Sequence, residues 1–371
     1  MGIKSIFFSL WAAGAIAMVS SHGLAQNAAK LGVQAATASP AEWDQLVEKA
    51  NKEGKLILFG QANTLYRNQV IAGFNKQYPK IKVEYRSGTK SADLVSKIAA
   101  EKRAGVHEVD LVLWGSSTVY NELIPAGFVT PIKDQLVLPE FKDGRKWVNG
   151  QLEFTDKEGK FTASYAQFHG QLLLVNTKLV DSTKLLGYED LFDPKYTGKI
   201  VVGHPKDLGQ ARYAFAYFYF LYGESFFEKL AAQKPVVIRD VKQLIEWVAH
   251  GKYAIGISPG NAAAFRELVE AGVPVAGMVL KEGGYYSPGS NTVSIVKDAP
   301  HPAAAKLFAN WLFTKEGQEV IMSALGGSSV RTDVSNPLKL DKGKKYFAPH
   351  LENNEEMQTK AIEAFTKYMG K

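Results

Sequence analysis

The sequence predicts an α/β protein of two lobes hinged as a clamshell, each lobe a mostly parallel sheet flanked by helices. Three observations predict it. The chain has 371 residues, 46% hydrophobic and 22% charged, which is globular composition with length for two cores rather than one. Short runs that are apolar on both faces alternate with segments whose apolar residues recur at helical spacing, the pattern of strand-helix-strand crossovers. A polar, hairpin-like insert, Phe154 to Tyr165, then divides one series of alternation from the next.

The first 25 residues are a different material. Lys4 is their only charge, Ile6 to Val19 is almost wholly apolar, and Gly23-Leu24-Ala25 offers small residues to a signal peptidase. This reads as a secretory signal cut near Ala25, its apolar run shorter than the roughly 20 residues of a membrane span. Ser39-Pro40-Ala41-Glu42 is a capping box with proline at the first helical position, and Trp43, Leu46, Val47 and Ala50 share one face up to Gly54. KLILFG (Lys55 to Gly60) is a buried strand. A helix with Tyr66, Val70, Ile71, Phe74 and Tyr78 on one stripe follows and stops at Pro79. IKVEYRS alternates as a strand, Ser91 caps a helix carrying Leu94, Val95, Ile98 and Ala99, and Val109 to Ser117 is a further strand leading into a short helix.

Beyond the insert, QLLLVN and GKIVVG are strands, a long aromatic helix runs from Gly209 to Tyr222, and PVVIRD and KYAIGIS flank a helix from Val241 to Ala249. NTVSIV then returns, and Pro302 opens a helix bearing Ala305, Leu307, Phe308, Trp311 and Leu312. Crossings between lobes are expected near Tyr165 to Gly170 and Tyr286 to Asn291. Residues 26–168 with 290–327 then form the first lobe, and 169–289 with 328–371 the second.

Composition narrows the function. There are no cysteines, so disulfides and a lipidated N-terminal cysteine are both excluded. The net charge is +7, and +6 without Lys4, spread rather than striped; nucleic-acid binding wants a basic stripe with interleaved aromatics. None of the seven histidines is paired at metal-ligand spacing, and no cofactor motif is present.

HPAAAKLFANWLFTKEGQEVI (His301 to Ile321), preceded by VSIVKDAP, closely resembles the extracellular solute-binding proteins of bacterial ABC importers, in the group of ferric-iron, thiamine and phosphonate binders. LFDPKYTGKIVVGHP, LLLVNTKLV and SSVRTDV are similar to further segments of that group. The resemblance covers essentially the whole mature chain. It implies a type II periplasmic-binding-protein clamshell, a monomer in the periplasm that delivers a small molecule to an inner-membrane permease without catalysis.

The ligand-facing positions are expected in loops at strand C-termini and at the crossings. Gln61, Asn63 and Thr64 follow the first strand, and Ser116 and Ser117 open a helix whose free N–H groups favour an anion, although either serine can serve as the cap instead. Across the cleft lie Gln210 and Arg212, the latter a fork-shaped cation suited to a carboxylate or phosphonate. Gln167 and His169 sit where the lobes meet. The expected ligand is a small organic anion: a carboxylate, phosphonate or phosphate ester. Ferric iron and a sensor-feeding role are alternatives.

Two stretches invite other readings. GISPG (Gly256 to Gly260) matches the G-x-S-x-G nucleophile elbow, with Asp298 and His301 or His350 following in the chain order of a serine hydrolase. Pro259, however, lacks the backbone N–H that the oxyanion hole needs from the residue after serine, which leaves Ser258 as a cleft hydroxyl and Asn261 as a helix cap. Tyr285-Tyr286 is an adjacent pair, but the iron-binding pair of the resembled ferric binders follows the strand matching YAIGIS, where this chain reads SPGNAAAF. One of the two rings, Tyr286, is therefore expected to cover an organic ligand at the second crossing.

Overall fold

The computed structural model describes residues 39–170, 172–207, 209–260, 265–325, 327–335 and 343–370; the leader segment and Asn261 lie outside them. Helix α1 (Pro40–Glu53) begins as its capping box dictates. Glu42 Oε2 accepts from the Ser39 N–H at 2.6 Å, Ser39 Oγ accepts from the Glu42 N–H at 3.3 Å, and Gly54 ends the helix at φ 65°. The first lobe continues with β1 (Lys55–Gln61), α2 (Thr64–Gln77), β2 (Lys82–Gly88), α3 (Ser91–Ala104), β3 (Leu111–Trp114), β4 (Val129–Thr130) and β5 (Ala163–Ala166). Ser91 is already inside α3. The start of that helix is held by Asp93 Oδ2, which accepts from the N–H groups of Thr89 and Lys90.

The second lobe carries β6 (Leu173–Asn176), β7 (Ile200–Gly203), α4 (Gly209–Tyr222), α5 (Ser225–Ala232), β8 (Val236–Ile238), α6 (Val241–Ala249), β9 (Ile255–Ile257), α7 (Arg266–Glu270) and β10 (Val275–Met278). After β11 (Gly283–Tyr285) the chain returns to the first lobe as β12 (Asn291–Val296), α8 (Pro302–Trp311) and α9 (Lys315–Leu325). β13 (Lys345–Phe347) and α10 (Glu355–Met369) complete the described chain, β13 pairing with β11 and α10 packing Ala361, Ala364 and Phe365 into the aromatic core around α4.

Both sheets are mixed rather than mostly parallel. The first is ordered β2-β1-β3-β12-β4 with β5 also on β12, and the second β10-β6-β9-β7-β8. β1, β2 and β3 are parallel, as are β7, β8 and β9, but β12 runs antiparallel to β3, β4 and β5, and β6 antiparallel to β9 and β10. The cause is connectivity: β6 and β12 are the strands by which the chain enters a lobe from the other, so no crossover helix sets their direction. Each sheet is covered on both faces. In the first lobe Phe74, Phe308 and Trp311 fill one side, and Phe59, Leu94 and Ile98 the other.

Candidate ligand-binding site

The connections between the lobes pair with one another. Residues 168–170 lie beside 285–287: the Gly170 N–H donates to the Tyr285 carbonyl at 3.1 Å and the Ser287 N–H to the Phe168 carbonyl at 2.9 Å. On the flanks, Gln167 exchanges backbone hydrogen bonds with Ser328 at 3.0 and 2.7 Å, and the Tyr286 N–H donates to the Phe347 carbonyl at 3.0 Å. The hinge is thus a small ribbon in which backbone donors are satisfied between crossings, as buried peptide groups require.

A cavity of about 150 Å³ opens on one face of this ribbon, lined by Phe168, His169, Gly170, Gln210, Tyr213, Tyr285, Ser287 and Ser290. No lining side chain is an acid, a lysine or an arginine. Its polar side chains include hydroxyls and an amide, set among three aromatic rings; His169, opposite Tyr286 in the ribbon, borders it with its ring against Tyr346. Gly170 is required where it stands, because a Cβ there would overlap the Tyr285 ring. Gln210 and Tyr213 come from the first five residues of α4, so the positive end of a fourteen-residue helix borders the cavity. Arg212, exposed, lies between them in sequence, and its charge draws the Tyr213 phenol down against the larger upward push of burial.

His169, Gln210 and Tyr285 are therefore the expected residues that line the cavity. The lobe-one loop does not: Gln61 and Thr64 are exposed, and Asn63 Oδ1 caps α2 by accepting from the Tyr66 N–H at 3.0 Å. Ser116 is fully buried, with its N–H donating to the Gly289 carbonyl at 2.8 Å and its Oγ to the His350 carbonyl at 3.0 Å. The donors expected to meet an anion there are spent on the protein. The helix they open is only Ser116–Thr118, continuing as a π-turn, while Ser117 faces solvent.

The tyrosine pair divides between two faces. Tyr285 is on the cavity wall, whereas Tyr286 donates its hydroxyl to Glu153 Oε1 at 2.8 Å. Glu153 Oε2 also accepts from Gln167 Nε2 at 2.8 Å and Asn149 Nδ2 at 3.0 Å. Burial holds the Glu153 carboxyl above its ordinary value, against the lowering by these three donors. Burial also pushes both phenols up, the reverse of what phenolate ligands need. Among the described residues no group of three or more His, Asp or Glu is placed to hold a metal ion.

The hydrolase constellation is dispersed. Ser258 stands at the end of β9 with φ 66°, 1% exposed, and its Oγ has no hydrogen-bond partner among the described residues. His301 is bound to the buried Asp110 at 2.9 Å in the first lobe, and Asp298 pairs with Lys102 at 3.4 Å. His350 packs on Tyr213, ring centroids 4.0 Å apart.

Sequence reasoning missed Phe168, Tyr213, Ser287 and Ser290 on the wall, and raised His350 only as a hydrolase base. Tyr213 was hidden among the many rings of α4. The two serines were absorbed into a turn signal, and nothing local marks His350.

Two sheets joined through paired crossings, with a small cavity at the junction, define a type II periplasmic binding protein. The chain belongs to the bacterial extracellular solute-binding proteins, the type that serves ABC importers: that family's profile matches residues 61–319. It is 26% identical over 295 residues to an uncharacterised protein of Haemophilus influenzae, covering 78% of this chain and 82% of that one. Among solved structures it is similar to the periplasmic binding protein AfuA of Actinobacillus pleuropneumoniae with fructose 6-phosphate bound (23% identity, TM-score 0.53, 85% of this chain and 98% of that one). It is also similar to Trichodesmium IdiA (FutA) with iron and citrate (18%, TM-score 0.65, 86% and 100%). A third is the ferric iron-binding protein A of Mannheimia haemolytica in an open conformation (16%, TM-score 0.66, 85% and 99%). These likenesses show the fold. No helix among the described residues is long and apolar enough to cross a membrane.

Proposed function

We propose that this protein is exported through a cleavable leader, captures a small organic anion at the hinge cavity as a monomer, and delivers it unchanged to an inner-membrane permease. The observation that carries the reading is the cavity itself, which combines aromatic rings and neutral hydroxyls with the N-terminus of α4 and the exposed Arg212 beside it. Rings cover an organic body, and hydroxyl donors with a helix N-terminus suit a carboxylate, phosphonate or phosphate ester. Residues 26–168 with 290–327 and 169–289 with 328–371 are the two bodies that move. Ligand favours closure only by its differential contacts with the second of them.

The wall offers no carboxylate cluster for ferric iron, and the Ser258 hydroxyl is hydrogen-bonded to no base among the described residues. A thermal-shift screen with fructose 6-phosphate, citrate, inorganic phosphate and ferric chloride tests the reading. An organic anion at a hundredfold its Kd stabilises by about 2.7 kcal/mol, and Arg212→Gln flattens the salt dependence of that binding. Stabilisation by ferric ion alone overturns it.

A further inference from the structure

We propose that His350, Ser290 and Ser287 form a one-way hydrogen-bond relay that presents the Ser287 hydroxyl to the cavity as a donor, selecting a ligand oxygen that accepts. This rests on the cavity being the ligand seat. Ser290 Oγ lies 3.2 Å from Ser287 Oγ and 3.4 Å from His350 Nε2, and both serines line the cavity while His350 stands behind them.

His350 is 7% exposed, with its ring held against Tyr213 and its carbonyl accepting from Ser116. Burial pushes its pKa down to about 3, so the imidazole is neutral and carries one N–H. Nδ1 is buried and has no partner among the described residues. Were the proton on Nδ1, a buried N–H would be left without an acceptor, the arrangement proteins most avoid; on Nε2, only a lone pair goes unused.

The proton therefore sits on Nε2 and is donated to Ser290 Oγ. Ser290 is then free to turn its own hydroxyl hydrogen toward Ser287 Oγ, 3.2 Å away. Ser287, 5% exposed, donates its hydroxyl to no group among the described residues. Its hydrogen is the end of the chain, and it faces the cavity. A ligand group that could only donate would meet a hydrogen there. A carboxylate or phosphate oxygen completes the relay. His350 is a positioning residue, and Ser287 is the group that touches ligand.

The test has a ligand-free arm. In ¹⁵N-labelled protein at pH 7, with His350→Gln identifying the resonance by its loss, ring correlations are expected to show His350 protonated on Nε2. Protonation on Nδ1, or on both nitrogens, overturns the relay. In the second arm, calorimetry with fructose 6-phosphate is expected to show Ser287→Ala weakening binding about ten-fold or more, with Ser287→Thr restoring it. Unchanged affinity in Ser287→Ala overturns the donor role. If the native protein binds none of this probe, the ligand reading fails for sugar phosphates, and the tautomer alone decides the relay.

Discussion

Replacing Tyr286 by phenylalanine separates the two faces of the hinge. The substitution removes the hydroxyl that donates to Glu153 Oε1 at 2.8 Å and leaves the ring. A hydrogen bond to a charged acceptor contributes roughly 1.5–3 kcal/mol. Gln167 and Asn149 still serve the other oxygen, so a loss of about 2 kcal/mol is expected at pH 7, or on the order of 3 °C in Tm for a chain of this length. Burial already raises the Glu153 carboxyl, and removing a donor raises it further. In acid the carboxyl is neutral, and the missing bond is worth only about 0.5–1.5 kcal/mol. The Tm deficit should therefore shrink between pH 7 and pH 4.5. Ligand affinity should be unaltered, because Tyr286 does not line the cavity. Paired thermal scans and calorimetry check this; a variant of native stability that had lost its ligand would put Tyr286 back in the site and refute the division.

Three further outcomes follow from particular contacts. Gly170→Ala drives a methyl into the Tyr285 ring, so chemical unfolding should show a loss of about 1–3 kcal/mol and titration a weaker ligand; native affinity would show that the ring is free to move. Glu153→Gln tests the sign of a raised carboxyl. The native group's contribution is fully present below its unfolded pKa and fades as pH rises through the higher folded value, so stability relative to the variant should be best in acid and decline toward pH 7 in urea melts. Arg331→Met removes a guanidinium that is 1% exposed and grips Asp333 at 2.7 and 2.9 Å while donating to the Phe313 carbonyl at 2.9 Å. Breaking such a buried pair costs about 3–5 kcal/mol; a calorimetric loss under 1 kcal/mol would show that Lys146, whose Nζ lies 2.8 Å from Asp333 Oδ2, compensates there.

What could be read in advance was local. The Ser39 capping box, the doubly buried KLILFG, and the apolar stripe of Phe74 on α2 each depend on neighbours within a turn or a strand, and each is where its pattern implies. The mixed pairing was not legible, since β6 and β12 look like any buried strand and only their arrival from the opposite lobe reverses them. The cavity wall was partly legible for the same reason. His169 and Gln210 follow from position at a crossing or a helix start, but the role of Ser116 depends on carbonyls of Gly289 and His350, about 170 and 230 residues away. A serine before a helix looks equally ready for a ligand or a carbonyl; only the fold shows which acceptor arrives first.

The tyrosine pair shows how far strand geometry alone can go. Residues 285–287 are extended and paired on one side with 168–170; the strand they continue, 283–285, pairs on the other with 345–347, and the Tyr286 N–H still reaches the Phe347 carbonyl. In extended backbone, successive side chains point to opposite faces. Tyr285 and Ser287 consequently share the cavity face, and Tyr286 must lie on the other, where Glu153, Gln167 and Asn149 receive it. Two adjacent tyrosines held this way cannot converge on one small ion, whatever their chemistry. The same alternation gives the hinge two separable duties. One face closes on the solute, and the other fixes the crossings to each other through a single carboxylate, so a change on the Glu153 face alters stability and its pH dependence without touching the wall that meets the ligand.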